Sequence, residues 1–120
     1  MPEPKAFAIV QILINDRDSY HQYETAGHLE IFDRFSGKVV GVDENVEIIE
    51  GSWPFTRTVL IEFPSKELAR AWYESDEYQA VVGLRRGSAT SNVVTTPGEM
   101  WGLRLRSRLL PSPSRPALLA

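Results

Sequence analysis

Ala6-Phe7-Ala8-Ile9-Val10-Gln11-Ile12-Leu13-Ile14 is apolar at every position but Gln11 and rich in β-branched residues. Read as a strand, it sends Phe7, Ile9 and Leu13 to one face and Ala8, Val10, Ile12 and Ile14 to the other. A strand that is apolar on both sides is covered on both sides. Asn15 and Asp16 end it, and Asp16 is suited to cap a helix. The residues that follow place Tyr20, Tyr23, Gly27, Ile31 and Phe35 at spacings of three and four, the pattern of one amphipathic helix. Gly27 is its weak point, costing roughly 1 kcal/mol against alanine.

Downstream the pattern returns to strand. Lys38-Val39-Val40-Gly41-Val42 is extended, Asp43-Glu44-Asn45 reads as a turn or bulge, and Val46-Glu47-Ile48-Ile49-Glu50 resumes extended structure. Gly51-Ser52-Trp53-Pro54 makes the next turn. Thr56 to Phe63 is a strand with Arg57, Val59, Ile61 and Phe63 on one face and Thr58, Leu60 and Glu62 on the other. Pro64 stops it and Ser65 caps a helix whose apolar side is Leu68, Ala69, Trp72 and Tyr73. Ser75 is a second cap, with Asp76 and Glu77 set against the positive end of the next helix dipole. Tyr78, Val81, Val82 and Arg85 follow at i, i+3, i+4 and i+7, and Asn92 to Thr96 gives a last short strand.

The order βαββαβ is the split βαβ, or ferredoxin-like, arrangement: an α+β fold with a four-stranded antiparallel sheet and two helical regions on one face. The other face has nothing from this chain to cover it, yet the first strand is apolar there. A second copy, sheet against sheet, covers it in a two-fold homodimer.

Composition bounds the function. The 120 residues suit one domain, and the absence of cysteine excludes disulfides, thiolate metal sites and a cysteine nucleophile. The apolar run near the start is too short to span a bilayer and no cleavage site follows it, so the expectation is a soluble, cytoplasmic protein with no membrane partner. The formal charge of −3 is uneven: residues 99–120 carry four arginines against Glu99 alone, leaving 9 basic and 15 acidic residues elsewhere. An acidic body of this kind argues against nucleic acid as a partner. We place a boundary at Thr96-Pro97-Gly98, giving a domain over 1–97 and a basic Leu/Arg then Pro/Ser-rich extension over 98–120. That extension either adds an edge strand to its own dimer or is a loose basic arm.

Several segments together resemble one family. These are Glu50-Gly51-Ser52-Trp53-Pro54, Arg57, Ile61-Glu62-Phe63-Pro64-Ser65, Ala71-Trp72-Tyr73-Glu74-Ser75 and Glu77-Tyr78-Gln79. In this order, from about Lys5 to Val94, the chain resembles the bacterial family known as domain of unknown function 1330, in the dimeric α/β-barrel superfamily. It departs from the family at Arg34-Phe35-Ser36-Gly37-Lys38, where a paired glycine is common, and at Gly87-Ser88-Ala89, where a more helical continuation is usual. The resemblance implies a ferredoxin-like dimer. The wider superfamily holds small monooxygenases, isomerases, decarboxylating enzymes and binding proteins, so it implies no single reaction.

Candidate polar residues each carry two readings. His21, Glu24 and His28 lie on the first helix, but the histidines are two turns apart, roughly 10 Å, too far for i, i+4 chelation. They read as solvated residues, and no metal or other cofactor is expected. Arg57, among apolar neighbours, needs an anion: either Glu50 across the turn or a substrate carboxylate. Glu62 faces the dimer partner and serves either as an inter-subunit hydrogen-bonding group or as a general base of raised pKa. Arg57 and Glu62 are therefore the catalytic candidates. Tyr20, Glu50, Trp53, Arg57, Glu62 and Arg85 are the ligand-pocket candidates, with Trp53 at a rim and Arg85 bonded to a helix end or a carboxylate. Trp72 reads as core. Two functions are consistent with this set: a dimer that binds a small organic molecule between sheet and helices, converting it without a cofactor, or a non-catalytic assembly dimer.

Overall fold

The structure, a computed structural model, describes residues 4–97, so the expected 98–120 extension lies outside the described residues. The elements are β1 (Ala6–Ile14), α1 (Arg17–Glu24), α2 (His28–Arg34), β2 (Lys38–Asp43), β3 (Arg57–Phe63), α3 (Lys66–Glu74), α4 (Asp76–Ser88) and β4 (Ala89–Pro97). The strands form one antiparallel sheet in the order β2-β3-β1-β4. This is the ferredoxin-like α+β arrangement, with β1 in the interior of the sheet as its two apolar faces require. Its even-numbered residues Ala6, Ala8, Val10 and Ile12 are buried beneath the helices, and Phe7, Ile9, Gln11 and Leu13 on the opposite face are half-buried.

Register sets the two faces across the whole sheet. Ile12 pairs with Arg57, Val10 with Val59, Ala8 with Ile61 and Ala6 with Phe63, so Arg57 lies on the helical side among apolar neighbours. On the open side, Ile9 stands between Leu60 and Val94, and Gln11 between Thr58 and Asn92. A register shift between Val39 and Gly41 turns both Val39 and Val42 toward the helical side, opposite Ile61 and Val59.

Four local expectations differ from the structure. The first helix is two helices. Thr25 closes α1, its N–H donating to the His21 carbonyl at 3.0 Å, and Gly27 at φ +86° starts α2 in a different direction. The bulge lies within β2 rather than after it. Residues 46–50 are not a strand: the Asn45 N–H donates to Asp43 Oδ1 at 2.7 Å, an Asx turn that ends β2, and an irregular segment leads on to β3. The last strand is also longer than Asn92–Thr96, because α4 passes directly into β4. There the Ser88 carbonyl accepts from the N–H groups of Asn15 and Asp16 at 2.8 and 3.1 Å, which ties this junction to the end of β1.

The helix caps match the sequence. Asp16 accepts from the Ser19 N–H at 3.2 Å, Ser65 from Leu68 at 3.2 Å and Ser75 from Tyr78 at 3.1 Å. The core between the layers centres on Trp72, whose ring centroid lies 5.1 Å from Phe32, 5.6 Å from Phe63 and 4.6 Å from Tyr78. Among the described residues no helix is long and apolar enough to cross a membrane.

Candidate functional site

The packing between helices and sheet is incomplete at one place. Below α1 and α2, over the β2, β3 and β1 strands, lies a cavity of about 270 Å³. Its walls are Val10, Ile12, Phe32, Val39, Val59 and Ile61, with Trp72 behind them. Seven polar side chains also line it: Tyr20, Tyr23 and Glu24 from α1, His28 from α2, Arg57 from β3, and Tyr78 and Arg85 from α4. An apolar chamber with a few convergent polar groups is the usual form of a small-molecule site. A larger groove of about 620 Å³ runs outside α3, α4 and β4, but Arg70, Glu74, Arg86 and Thr90 along it are exposed to solvent.

Arg57 has its charge answered within the fold, although its Nε, like that of Arg85, is buried without a partner. Its Nη1 donates to Glu24 Oε2 at 2.8 Å, its Nη2 lies 3.5 Å from Glu44 Oε1, and its guanidinium carbon sits 5.5 Å from the Tyr20 ring centroid. The sequence-level pairing with Glu50 is therefore corrected: Glu50 is exposed on the 44–56 segment, whereas the Asx turn brings Glu44 back to the strand. Burial works against the charged forms of both Glu24 and Arg57. Their mutual hydrogen bond more than offsets this, holding the Glu24 carboxyl below its ordinary range and the guanidinium above.

Tyr23 and Tyr78 face one another across α1 and α4 with hydroxyls 2.6 Å apart in a buried position. Burial first, and the Tyr78 hydroxyl second, push the Tyr23 phenol far up, so it stays protonated. Tyr20 is raised by burial as well, with Arg57 opposing. His28 stacks on Tyr23 at 4.5 Å between centroids, and its Nδ1 is buried without a hydrogen-bond partner. Burial lowers its pKa and outweighs the Tyr23 backbone and the nearby Glu24 charge, which act the other way, so the imidazole is neutral at neutral pH. Arg85, at 3% exposure, is the most deeply buried charge, and its Nε has no partner. The chamber can therefore donate hydrogen bonds from phenols, present a cation at Arg85 and accept a proton at His28.

The structure brings Tyr20, Arg57 and Arg85 together on this cavity and places the other three candidates elsewhere. Glu62 is on the open sheet face, 3.7 Å from Lys5. Trp53 donates from Nε1 to Thr58 Oγ1 at 3.0 Å and, with Glu50, borders a surface hollow against residues 46–49. His21 and His28 do not share one helical side: the break at Gly27 leaves His21 exposed, 3.5 Å from Glu24, and turns His28 inward. From the sequence, Glu44 does not stand out, Glu24 and His28 read as solvated residues, and Tyr23 and Tyr78 read as packing residues. The signal available for the two tyrosines was their place on the buried stripes of α1 and α4. Among the described residues no group of three His, Asp or Glu side chains is placed to hold a metal ion.

Fold and cavity define the class: a ferredoxin-like domain with a small chamber between its sheet and its helices. The chain belongs to the family described as Domain of unknown function (DUF1330), which matches residues 5–98. No curated protein matches it. Similar solved structures include a protein of unknown function from Rhodopseudomonas palustris, 16% identical, with a TM-score of 0.66 over 80% of this chain and 83% of that one. SnoaB, a cofactor-independent oxygenase from Streptomyces nogalater, is 10% identical, with a TM-score of 0.59 over 81% and 95%. A dimeric ferredoxin-like protein of unknown function from Thermobifida fusca is 12% identical, with a TM-score of 0.55 over 80% and 92%. These likenesses are of fold.

Proposed function

We propose that this protein is a homodimer that binds a small organic molecule in the chamber between helices and sheet of each protomer. The observation that carries the proposal is the chamber itself. A cleft of about 270 Å³ left unfilled beside the tightly packed Trp72 cluster, apolar in its walls and lined by seven polar side chains, has the form of a small-molecule site. Dimerisation draws on the open sheet face, where Leu60 and Val94 are 38% and 54% exposed beside Ile9, and on the dimeric ferredoxin-like proteins of similar fold. Where the bound molecule carries an acidic C–H or O–H, neutral His28 is the group placed to accept the proton.

Native mass spectrometry of the purified protein tests both parts. The expected result is twice the chain mass, plus an adduct of a small molecule per protomer. Val59→Phe fills the chamber from β3; it is expected to abolish the adduct and keep the dimer. An adduct that survives Val59→Phe unchanged, or a monomer at micromolar concentration, overturns the corresponding part.

A further inference from the structure

The two guanidinium groups on the chamber are in opposite situations. Arg57 has Glu24 at 2.8 Å and Glu44 at 3.5 Å, so its charge is answered within the fold. Arg85 is more deeply buried, and among the described residues no carboxylate lies within 4 Å of it. Its titratable neighbours are Tyr78, Tyr23 and Tyr73, which are phenols and cannot balance its charge while protonated. Tyr73 is already in use, accepting from Arg86 Nη2 at 2.7 Å. A buried cation without an anion is costly in a folded protein unless something else supplies the anion.

The tyrosine pair adds a directional donor. Two hydroxyls 2.6 Å apart share a single hydrogen bond, so one donates to the other and the second hydroxyl's proton remains available. The pair and the Arg85 guanidinium are neighbours: Tyr78 and Arg85 both come from α4, and Tyr23 meets them from α1. The other walls, Val39, Val59, Ile61 and Phe32, offer only hydrocarbon. We propose that the ligand is a small organic oxyanion with an apolar body, a carboxylate or an acidic enol, whose charged oxygens are held by Arg85 and the Tyr23–Tyr78 hydroxyl pair. This rests on the reading of the chamber as a binding site and names the chemical class it takes. Inorganic phosphate fits less well, since it would leave the hydrocarbon walls unfilled. The volume admits about one or two rings. Arg57, already paired, helps to form the chamber but takes no part in holding the anion.

The test compares two probes of the same shape, 2-naphthoate and its neutral counterpart 2-naphthamide, by isothermal titration of the full chain. The wild-type protein is expected to bind naphthoate about tenfold or more tightly than naphthamide. Arg85→Gln should reduce that preference to within about twofold while naphthamide still binds, and Arg85→Lys should restore part of it. Equal affinity for the two probes in the wild type overturns the oxyanion assignment and leaves the chamber reading intact; this arm needs no variant, so it decides even if Arg85→Gln does not fold. Failure of both probes to bind at millimolar concentration overturns the chamber reading and this inference with it. Arg85 also lines the outer groove. A naphthoate preference that survives Val59→Phe but is lost in Arg70→Gln/Arg86→Gln places the anion in that groove and overturns the proposal as well.

Discussion

His28 shows how a single residue changes character with its backbone. On a continuous helix it would be a solvated histidine, and stacked on Tyr23 it is half-buried with a lowered pKa, burial being the main cause. In the unfolded chain it titrates near its ordinary 6.5, so below that pH the unfolded state takes up the proton first. Folding stability is accordingly undiminished above about pH 7 and falls as the pH drops through 6.5 toward the lower folded value. Thermal denaturation at pH 7.5 and 5.5 should show this loss in the wild type and a smaller one in His28→Asn. Gly37 is a second residue with a definite cost attached. A Cβ there would lie 2.6 Å from Phe63 Cε1 and 3.2 Å from the Phe32 carbonyl, and Phe63 is fully buried with no room to yield. Gly37→Ala is expected to destabilise the fold by about 1–3 kcal/mol, measurable by urea denaturation. Gly37 stands at the family departure noted between residues 34 and 38, where the chain keeps one glycine at the position in closest contact.

At the scale of elements, the α1–α2 break organises the chamber. Thr25 stops α1 and Gly27, at φ +86°, begins α2 along a new direction, which leaves Glu24 facing Arg57 and His28 facing inward. Because nothing lies within 4 Å of a Cβ at Gly27, the cost of Gly27→Ala is conformational, about 1–2 kcal/mol, and should appear as reduced stability in urea with an unchanged mass in solution. The break was only partly legible in the sequence. Tyr20, Tyr23 and Ile31 keep a spacing that one helix explains as well as two, and Gly27 marks weakness without giving a direction. The caps at Asp16, Ser65 and Ser75 were legible because each joins a short oxygen-bearing side chain to a following helical pattern. Residues 46–50 misled because Val46, Ile48 and Ile49 have strand character, while the Asx turn that removes them from the sheet depends on one side chain, Asp43. The Arg57 partner was not legible either: the sequence offered Glu50, whereas the end of α1 supplies Glu24 and the turn after β2 supplies Glu44.

For the whole molecule, the decisive information was in β1. Its two apolar faces require one layer of helices and a second cover, and the open face presents Leu60, Ile9 and Val94 in a cross-strand row. Leu60→Glu places a carboxylate in that row; in the proposed dimer it would be buried in the interface. Light scattering after gel filtration should then report a monomer with retained helical circular dichroism, while Lys66→Glu, on an exposed helix turn, should leave the mass unchanged. The site was less legible than the fold, since a chamber is a property of what fails to fill space. Tyr23, Tyr78 and Trp72 all read as core, and only their packing reveals that two of them keep hydroxyls at its edge. The same sheet order also has a kinetic consequence. β1 is flanked by β3 and by β4, and Ala6 pairs with Pro97, so the first strand of this sheet to be synthesised waits for the last before its pairing is complete. No hairpin can nucleate that contact locally; closing it spans nearly the whole domain, which predicts slow, late-committing folding and a nascent chain whose most aggregation-prone strand is the longest exposed.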